Sequence, residues 1–342
     1  MAYAVERATD LASRLLEHLR EALAAPGLQF AEPPTGISGG FDTQIVAFRL
    51  EGAPPGFSGP LILRLLGAHA EPARALRERA VQNTLADLGY PVPRVLLATS
   101  DPAPLGLPGL IMERVPGRPL LETRVFGLAR VLVELQLRLH ALDAQALRQA
   151  LDEEGRTAVS MDGLLARLED RIVGGSLDGL RPAMAWLIDH RPPPASRPAI
   201  CHGDFHPQNI LVSGGSVSGV IDWPNTVIAD PAYDVAATLV ILRFAPPELP
   251  APIRWLAGVA RRTMATRYLA GYRRRHPLDS RTLAYYEALG CMRGLSRTAE
   301  GRLRRGTTPP NPLDMSAFGE TLAVHFARIT GIAPALPPPR RR

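Results

Sequence analysis

Residues 201–223, CHGDFHPQNILVSGGSVSGVIDW, constrain the fold and the chemistry of this chain more than any other stretch. Two short apolar segments flank Gly214-Gly215, the composition of a β-hairpin. With a loop over 214–217 the strand pairs are 213/218, 212/219, 211/220 and 210/221, and one further step sets Asn209 beside Asp222. Two oxygen donors thirteen residues apart then meet at the open end of one hairpin. Such a pair suits a hard cation such as Mg2+, which takes phosphate oxygens and water as its other ligands. Asp204 lies five residues before Asn209 in a loop containing Pro207. It is placed to act as a general base or to orient a nucleophilic hydroxyl. His202 is expected to hold the loop backbone. Each residue alone also suits an ordinary polar turn; the set at this spacing points to a site.

The rest of the chain must supply a core around that segment. It has 342 residues, 46% of them apolar and 6% aromatic, enough for two domains or lobes with an aliphatic core. All 39 basic residues are Arg. The net charge of +6 is not gathered into an Arg/aromatic surface, so no nucleic-acid partner is expected. Cys201 and Cys291 have no disulfide or zinc spacing, which fits a reducing cytoplasm. The N-terminal MAYAVERATD has an acidic residue and no apolar run, so no signal peptide is expected. Runs such as VAATLVIL are too short to span a bilayer, and no membrane partner is expected.

Apolar residues at helical spacing predict a helix over 4–24, stopped by APG. IVAFRL and PLILRLL read as strands, EPARALRERAVQNTLADLGYPVP as a helix ended by Gly89 and Pro91, and VPRVLLAT and GLIMERV as two more strands. The result is an α+β N-terminal lobe of about five strands and one inserted helix. VPGRPL (115–120) reads as a linker, followed by helices over 124–141 and 161–190 and, from 231, a helical remainder. The expected division is 1–115, 116–333, and a disordered Pro/Arg tail at 334–342.

HGDFHPQN, then VIDW, then DPAYDVA, resembles the catalytic segment of the aminoglycoside phosphotransferase and choline kinase group, which is similar to protein kinases. The resemblance implies a bilobal protein-kinase-like fold, with a small antiparallel-sheet N-terminal lobe and a larger, mostly helical C-terminal lobe. It makes Asp204 the catalytic Asp and gives Asn209 and Asp222 to Mg2+. It makes 230–234 the support of the catalytic loop, with Asp234 as an internal hydrogen-bonding carboxylate; Asp230-Pro231 is also a good helix start. The resemblance implies ATP as the nucleotide, with GTP as the alternative donor, and a small-molecule hydroxyl acceptor as the second substrate. Oligomeric state is left open.

A kinase-like fold makes demands upstream. GISGGFDTQIVAF offers Ser38, Gly39 and Gly40 for a turn over the phosphates. PLILRLL offers Arg64, a cation in an apolar strand, where the family usually has Lys; Arg keeps the charge with a different geometry. Branches resembling the domains fused to acyl-CoA dehydrogenases have Arg in a similar setting. Glu78 lies three residues before Val81 and seven before Leu85, on the inward stripe of the inserted helix, and is expected to answer Arg64. LIMERVPGR matches the hinge, where backbone groups of Glu113 to Val115 would meet the adenine edge. Met112 and Ile62 could wall the nucleotide pocket, but their side chains read first as strand core.

Between 235 and 342 there are 18 Arg against six acidic residues. A site for a polycationic aminoglycoside is expected to be acidic, so the balance favours a neutral or anionic acceptor: a sugar, a macrolide or a hydroxyacyl thioester. Arg293, in YYEALGCMRGLSR, is a candidate acceptor contact. Two other readings stand beside the kinase. One is a metal-dependent hydrolase using His202, Asp204 and His206. The other is a nucleotide-binding module that has lost catalysis.

Overall fold

The computed structural model describes residues 2–37, 43–67, 71, 73–123, 127–157, 159–244, 251–304 and 315–338. The chain opens with α1 (Ala2–Ala22), β1 (Gln29–Gly36), β2 (Thr43–Glu51), β3 (Leu61–Leu66), α2 (Ala73–Asp87), β4 (Val95–Thr99) and β5 (Gly109–Glu113). Then follow β6 (Arg118–Pro119), α3 (Leu128–His140), α4 (Ala144–Glu153), α5 (Met161–Gly174), α6 (Arg181–Asp189), β7 (Ala199–Cys201), β8 (Ile210–Ser213) and β9 (Ser216–Val220). The chain continues with β10 (Val227–Ala229), α7 (Pro231–Phe244), α8 (Ala251–Arg273), α9 (Ser280–Arg304) and α10 (Met315–Thr330). Two compact units result: 1–123 with 145–157 and 209–224, and 124–144 with 158–208 and 225–342.

The first unit is built on an antiparallel sheet in the order β1-β2-β3-β5-β4. Alternation in β3 sends Leu61, Leu63 and Leu65 to one face, where they pack with Leu11, Leu15 and Leu19 of α1. The other face carries Ile62 and Met112 against Ala75, Val95 and Leu110, so both side chains are strand core. Arg64 shares that second face. The segment read as a linker is short but not free: β6 pairs with β8 through Arg118↔Val212 and Pro119↔Leu211.

The hairpin of β8 and β9 differs from the expected register. Its pairs are Ser213↔Ser216, Val212↔Val217, Leu211↔Gly219 and Ile210↔Val220. The loop is Gly214-Gly215 alone, both at positive φ (58° and 82°), the two-residue turn that matches strand twist. Ser218 is an extra residue, a β-bulge, and its hydroxyl donates to the Pro116 carbonyl at 2.6 Å. The Ile221 N–H therefore donates to the Asn209 carbonyl (2.9 Å), and Asp222 lies one residue beyond that pair.

The second unit is mostly helical, with a two-stranded ladder of β7 and β10. Helix α7 is buried all round, as its sequence PAYDVAATLVILRF requires. The stretch read as one helix over 161–190 is two, because the chain turns at Gly174-Gly175 and Ser176 takes φ 51°. The tail expected to be disordered is held over part of its length: the Ala335 N–H donates to the Gly179 carbonyl (2.9 Å), and Arg302 Nη1 donates to the Pro337 carbonyl (3.0 Å). Among the described residues no helix is long and apolar enough to cross a membrane.

Candidate active site

In the first unit Arg64 is the centre of an ion-pair chain. Its Nη1 meets Glu78 Oε2 at 3.0 Å and its Nη2 meets Asp222 Oδ1 at 2.9 Å. Arg74 Nε holds the other Glu78 oxygen at 2.7 Å. The inward stripe of α2 carries Glu78 into the core, where it is 1% exposed. A carboxylate this deep needs hydrogen-bonded, oppositely charged partners, and two guanidinium groups supply them. Arg64 can serve both acids because its nitrogens form a planar fork.

Asp222 has φ 71°, a left-handed conformation that costs a non-glycine residue about 1 kcal/mol. Its side chain remains 38% exposed, so the carboxylate keeps solvent access while paired with Arg64. Asn209 and Asp222 offer an amide oxygen and a carboxylate from one hairpin, all-oxygen chemistry that fits Mg2+.

Strand β5 leads into Glu113, Arg114 and Val115. The Glu113 N–H donates to the Arg94 carbonyl (3.0 Å) and the Arg114 N–H to the Pro60 carbonyl (2.9 Å). The Val115 N–H has no backbone partner among the described residues. A cavity of about 560 Å3 in the same unit is lined by Pro60, Leu61, Tyr90, Arg94, Glu113 and Arg114, and its wall includes neither Arg64 nor Asp222. Ser38, Gly39 and Gly40 lie outside the described residues.

In the second unit the loop after β7 is held from below by α7. Asp230 Oδ1 accepts from the Ala232 N–H (2.8 Å) and caps the helix start. Asp234, in the first turn and fully buried, accepts from the N–H of His202 (3.1 Å) and of Gly203 (2.7 Å). His202 is also buried, and its Nδ1 accepts from the Asp204 N–H at 3.2 Å, which is the backbone-holding part expected of it. Asp204 keeps a partly exposed carboxylate, with His206 Nε2 at 3.8 Å. Burial acts to raise the Asp234 carboxyl pKa, but the His140 hydrogen bond and neighbouring positive charge outweigh it and hold the group below the usual carboxylate range.

Several residues of this support were not legible in the sequence. His140 Nε2 meets Asp234 at 3.1 Å and its Nδ1 meets the Tyr272 hydroxyl at 2.6 Å. Gln136, one turn earlier, bonds Tyr268 and Thr238, and the Thr238 hydroxyl donates to the Phe205 carbonyl (2.9 Å). The available signal was a polar i,i+4 pair on the buried face of α3. Arg293, read as an acceptor contact, donates from Nη1 to the Gly203 carbonyl (2.9 Å) and the Tyr233 hydroxyl (2.7 Å). Arg74 was visible only as an i,i+4 neighbour of Glu78.

The hydrolase reading needs His202, Asp204 and His206 together as ligands. His202 spends Nδ1 on the loop backbone, and among the described residues no three His, Cys, Asp or Glu side chains form a metal-binding group. Burial also pushes the Cys201 thiol well up, making it a core residue rather than a nucleophile.

Residues 34–278 match the sequence profile of the phosphotransferase enzyme family. The aminoglycoside 3'-phosphotransferase of Streptomyces fradiae is 28% identical over 266 residues, covering 68% of this chain and 91% of that protein. Acyl-CoA dehydrogenase family member 11 of Homo sapiens is 29% identical over 174 residues, which is 47% of this chain and 22% of that much longer protein. Among solved structures, the aminoglycoside phosphotransferase APH(4)-Ia in ternary complex with AMP-PNP and hygromycin B superposes with a TM-score of 0.61 at 18% identity, covering 93% of this chain and 99% of that one. A macrolide 2'-phosphotransferase type I gives a TM-score of 0.55 at 17% identity, covering 94% and 97%. These likenesses give the chain a kinase-like fold. With the profile matched over well more than half its length, the chain belongs to the phosphotransferase enzyme family.

Proposed function

We propose that the chain is an ATP-dependent kinase, with GTP as an alternative donor, that moves the γ-phosphate to a hydroxyl of a small neutral or anionic molecule. The observation that carries this reading is the chain Glu78–Arg64–Asp222, a buried acid fixing a cation that reaches the carboxylate assigned to the metal. Asp204 takes the acceptor hydroxyl as general base. Asn209 and Asp222 would hold Mg2+, which when bound neutralises charge on the phosphoryl oxygens. Arg64 binds the α/β-phosphates. The Val115 N–H and the Glu113 backbone take the adenine edge. Nucleotide binding is assigned to 1–115 and the acceptor site to 116–333.

The acceptor class rests on charge. Some of the 18 Arg between 235 and 342 are structural: Arg243 pairs with Glu287, Arg302 with Glu320, and Arg261 caps the Ile241 and Leu242 carbonyls. Two of the six acids are spent in the same pairs, so the excess of Arg persists. The named relatives span aminoglycosides, macrolides and acyl-CoA enzymes, and the charge favours the last two.

The test is Mg-dependent ADP release across aminoglycosides, macrolides, choline, simple sugars and hydroxyacyl-CoA thioesters, with Asp204→Asn as the blank. A hit lost in the variant supports the reading. A hit on an aminoglycoside alone overturns the charge argument, and a hit retained in Asp204→Asn overturns the assignment of the base.

A further inference from the structure

We propose that Arg293 is a positioning residue for Asp204, locking the peptide that carries the base from a helix ninety residues away. The role given to Asp204 rests on the kinase reading; the lock itself does not.

Gly203 is the joint. Its φ of 75° favours glycine, and a Cβ there would stand 2.5 Å from the Asn225 carbonyl oxygen and 3.2 Å from the Tyr233 hydroxyl. Its N–H is held by Asp234. Its carbonyl accepts from Arg293 Nη1 at 2.9 Å. That carbonyl and the Asp204 N–H belong to one planar peptide, pointing in opposite directions. The N–H end is bound to His202 Nδ1 at 3.2 Å. With both ends engaged the plane cannot turn, so the direction in which Asp204 leaves the backbone is set by His202 on one side and Arg293 on the other.

The partners of Arg293 suit that task. Its second Nη1 hydrogen goes to the buried Tyr233 hydroxyl, and its guanidinium carbon lies 5.8 Å from the Tyr233 ring centroid. Burial pushes the Tyr233 hydroxyl up to about 12, so it stays neutral and accepts. A charged donor makes the stronger kind of bond to a carbonyl. Both hydrogens of Arg293 Nη1 are thereby directed at the loop and at the helix that supports it.

Two measurements on the full chain test this, using wild type, Arg293→Met, Arg293→Lys and Tyr233→Phe. The first is amide hydrogen exchange without ligand. Arg293→Met is expected to speed exchange of the Asp204 amide about tenfold or more, with α7 and α9 unchanged; Arg293→Lys is expected to fall between, and Tyr233→Phe close to wild type. The second is turnover, with the acceptor from the panel or with water in basal Mg·ATP hydrolysis. There kcat in Arg293→Met is expected to fall about ten- to a hundredfold at unchanged KM for ATP and for acceptor. Unchanged exchange at 203–206, or loosening spread through α9, overturns the lock. A raised acceptor KM at full kcat overturns it in favour of acceptor contact. If wild type turns over no ATP, the kinase reading fails and the exchange data still judge the lock.

Discussion

Arg64 Nη2 lies 2.9 Å from Asp222 Oδ1, while Nη1 of the same guanidinium holds Glu78 at 3.0 Å. One side chain therefore fixes both the carboxylate buried in α2 and the carboxylate assigned to the metal. In a chain whose basic residues are all Arg, the fork does what a single ammonium cannot.

Replacing Arg64 by Met should cost about 1–3 kcal/mol, because Glu78 loses one of two partners while remaining buried. Arg64→Lys should be more stable than Arg64→Met and bind Mg·AMP-PNP more tightly, since a charge remains. Thermal melts and nucleotide titrations read both. A wild-type melting temperature in Arg64→Met would refute the account of Glu78.

Arg74→Ala should be milder, at the low end of that range, about 1 kcal/mol. Its pair with Glu78 is an i,i+4 contact with a partly exposed partner, and Arg64 still holds the acid. A loss equal to that of Arg64→Met in the same melts would mean that Arg74 is the main counter-charge.

Asp204→Asn and Asp222→Asn should part ways. The first should abolish transfer and leave Mg·ATP binding near wild type. The second should weaken the metal–nucleotide complex about tenfold or more, because a charged oxygen ligand is lost. Calorimetric titration with Mg·AMP-PNP separates them, and equal weakening in both would contradict the division of roles.

Acid stability should depend on His140. The Asp234 carboxyl is held below its ordinary value in the folded chain, so its contribution is present above about pH 4 and is lost as pH falls through the folded value. In His140→Leu, burial acts without that hydrogen bond, the folded value rises, and acid unfolding should begin at higher pH. Circular dichroism against pH checks this; an unchanged acid midpoint would remove His140 from the support of Asp234.

What the sequence disclosed and what it hid divide along physical lines. Arg64 and Glu78 were readable because a cation in an apolar strand and an acid on an apolar stripe each demand a partner. The hairpin was readable from Gly214-Gly215, but its register was not, since the bulge at Ser218 is fastened to Pro116, 102 residues away. His140 and Gln136 were hidden because their partners Tyr272 and Tyr268 lie 132 residues on, and a polar residue on a helix stripe reads as the stripe's edge. The break at Gly174-Gly175 was visible in composition and overridden by the periodicity on either side.

The bulge at Ser218 also makes the hairpin a ruler with unequal tolerance to insertion and deletion. Residues added at Gly214-Gly215 lengthen a solvent turn and leave Asn209 and Asp222 where they are. Deleting Ser218 alone would leave the pairs Leu211↔Gly219 and Ile210↔Val220, and with them Asp222, in register, but would remove the extra twist of the bulged strand and the hydroxyl that holds the Pro116 carbonyl. Length variation in this segment is therefore cheap at the tip, whereas three residues later it unfastens the hairpin from Pro116.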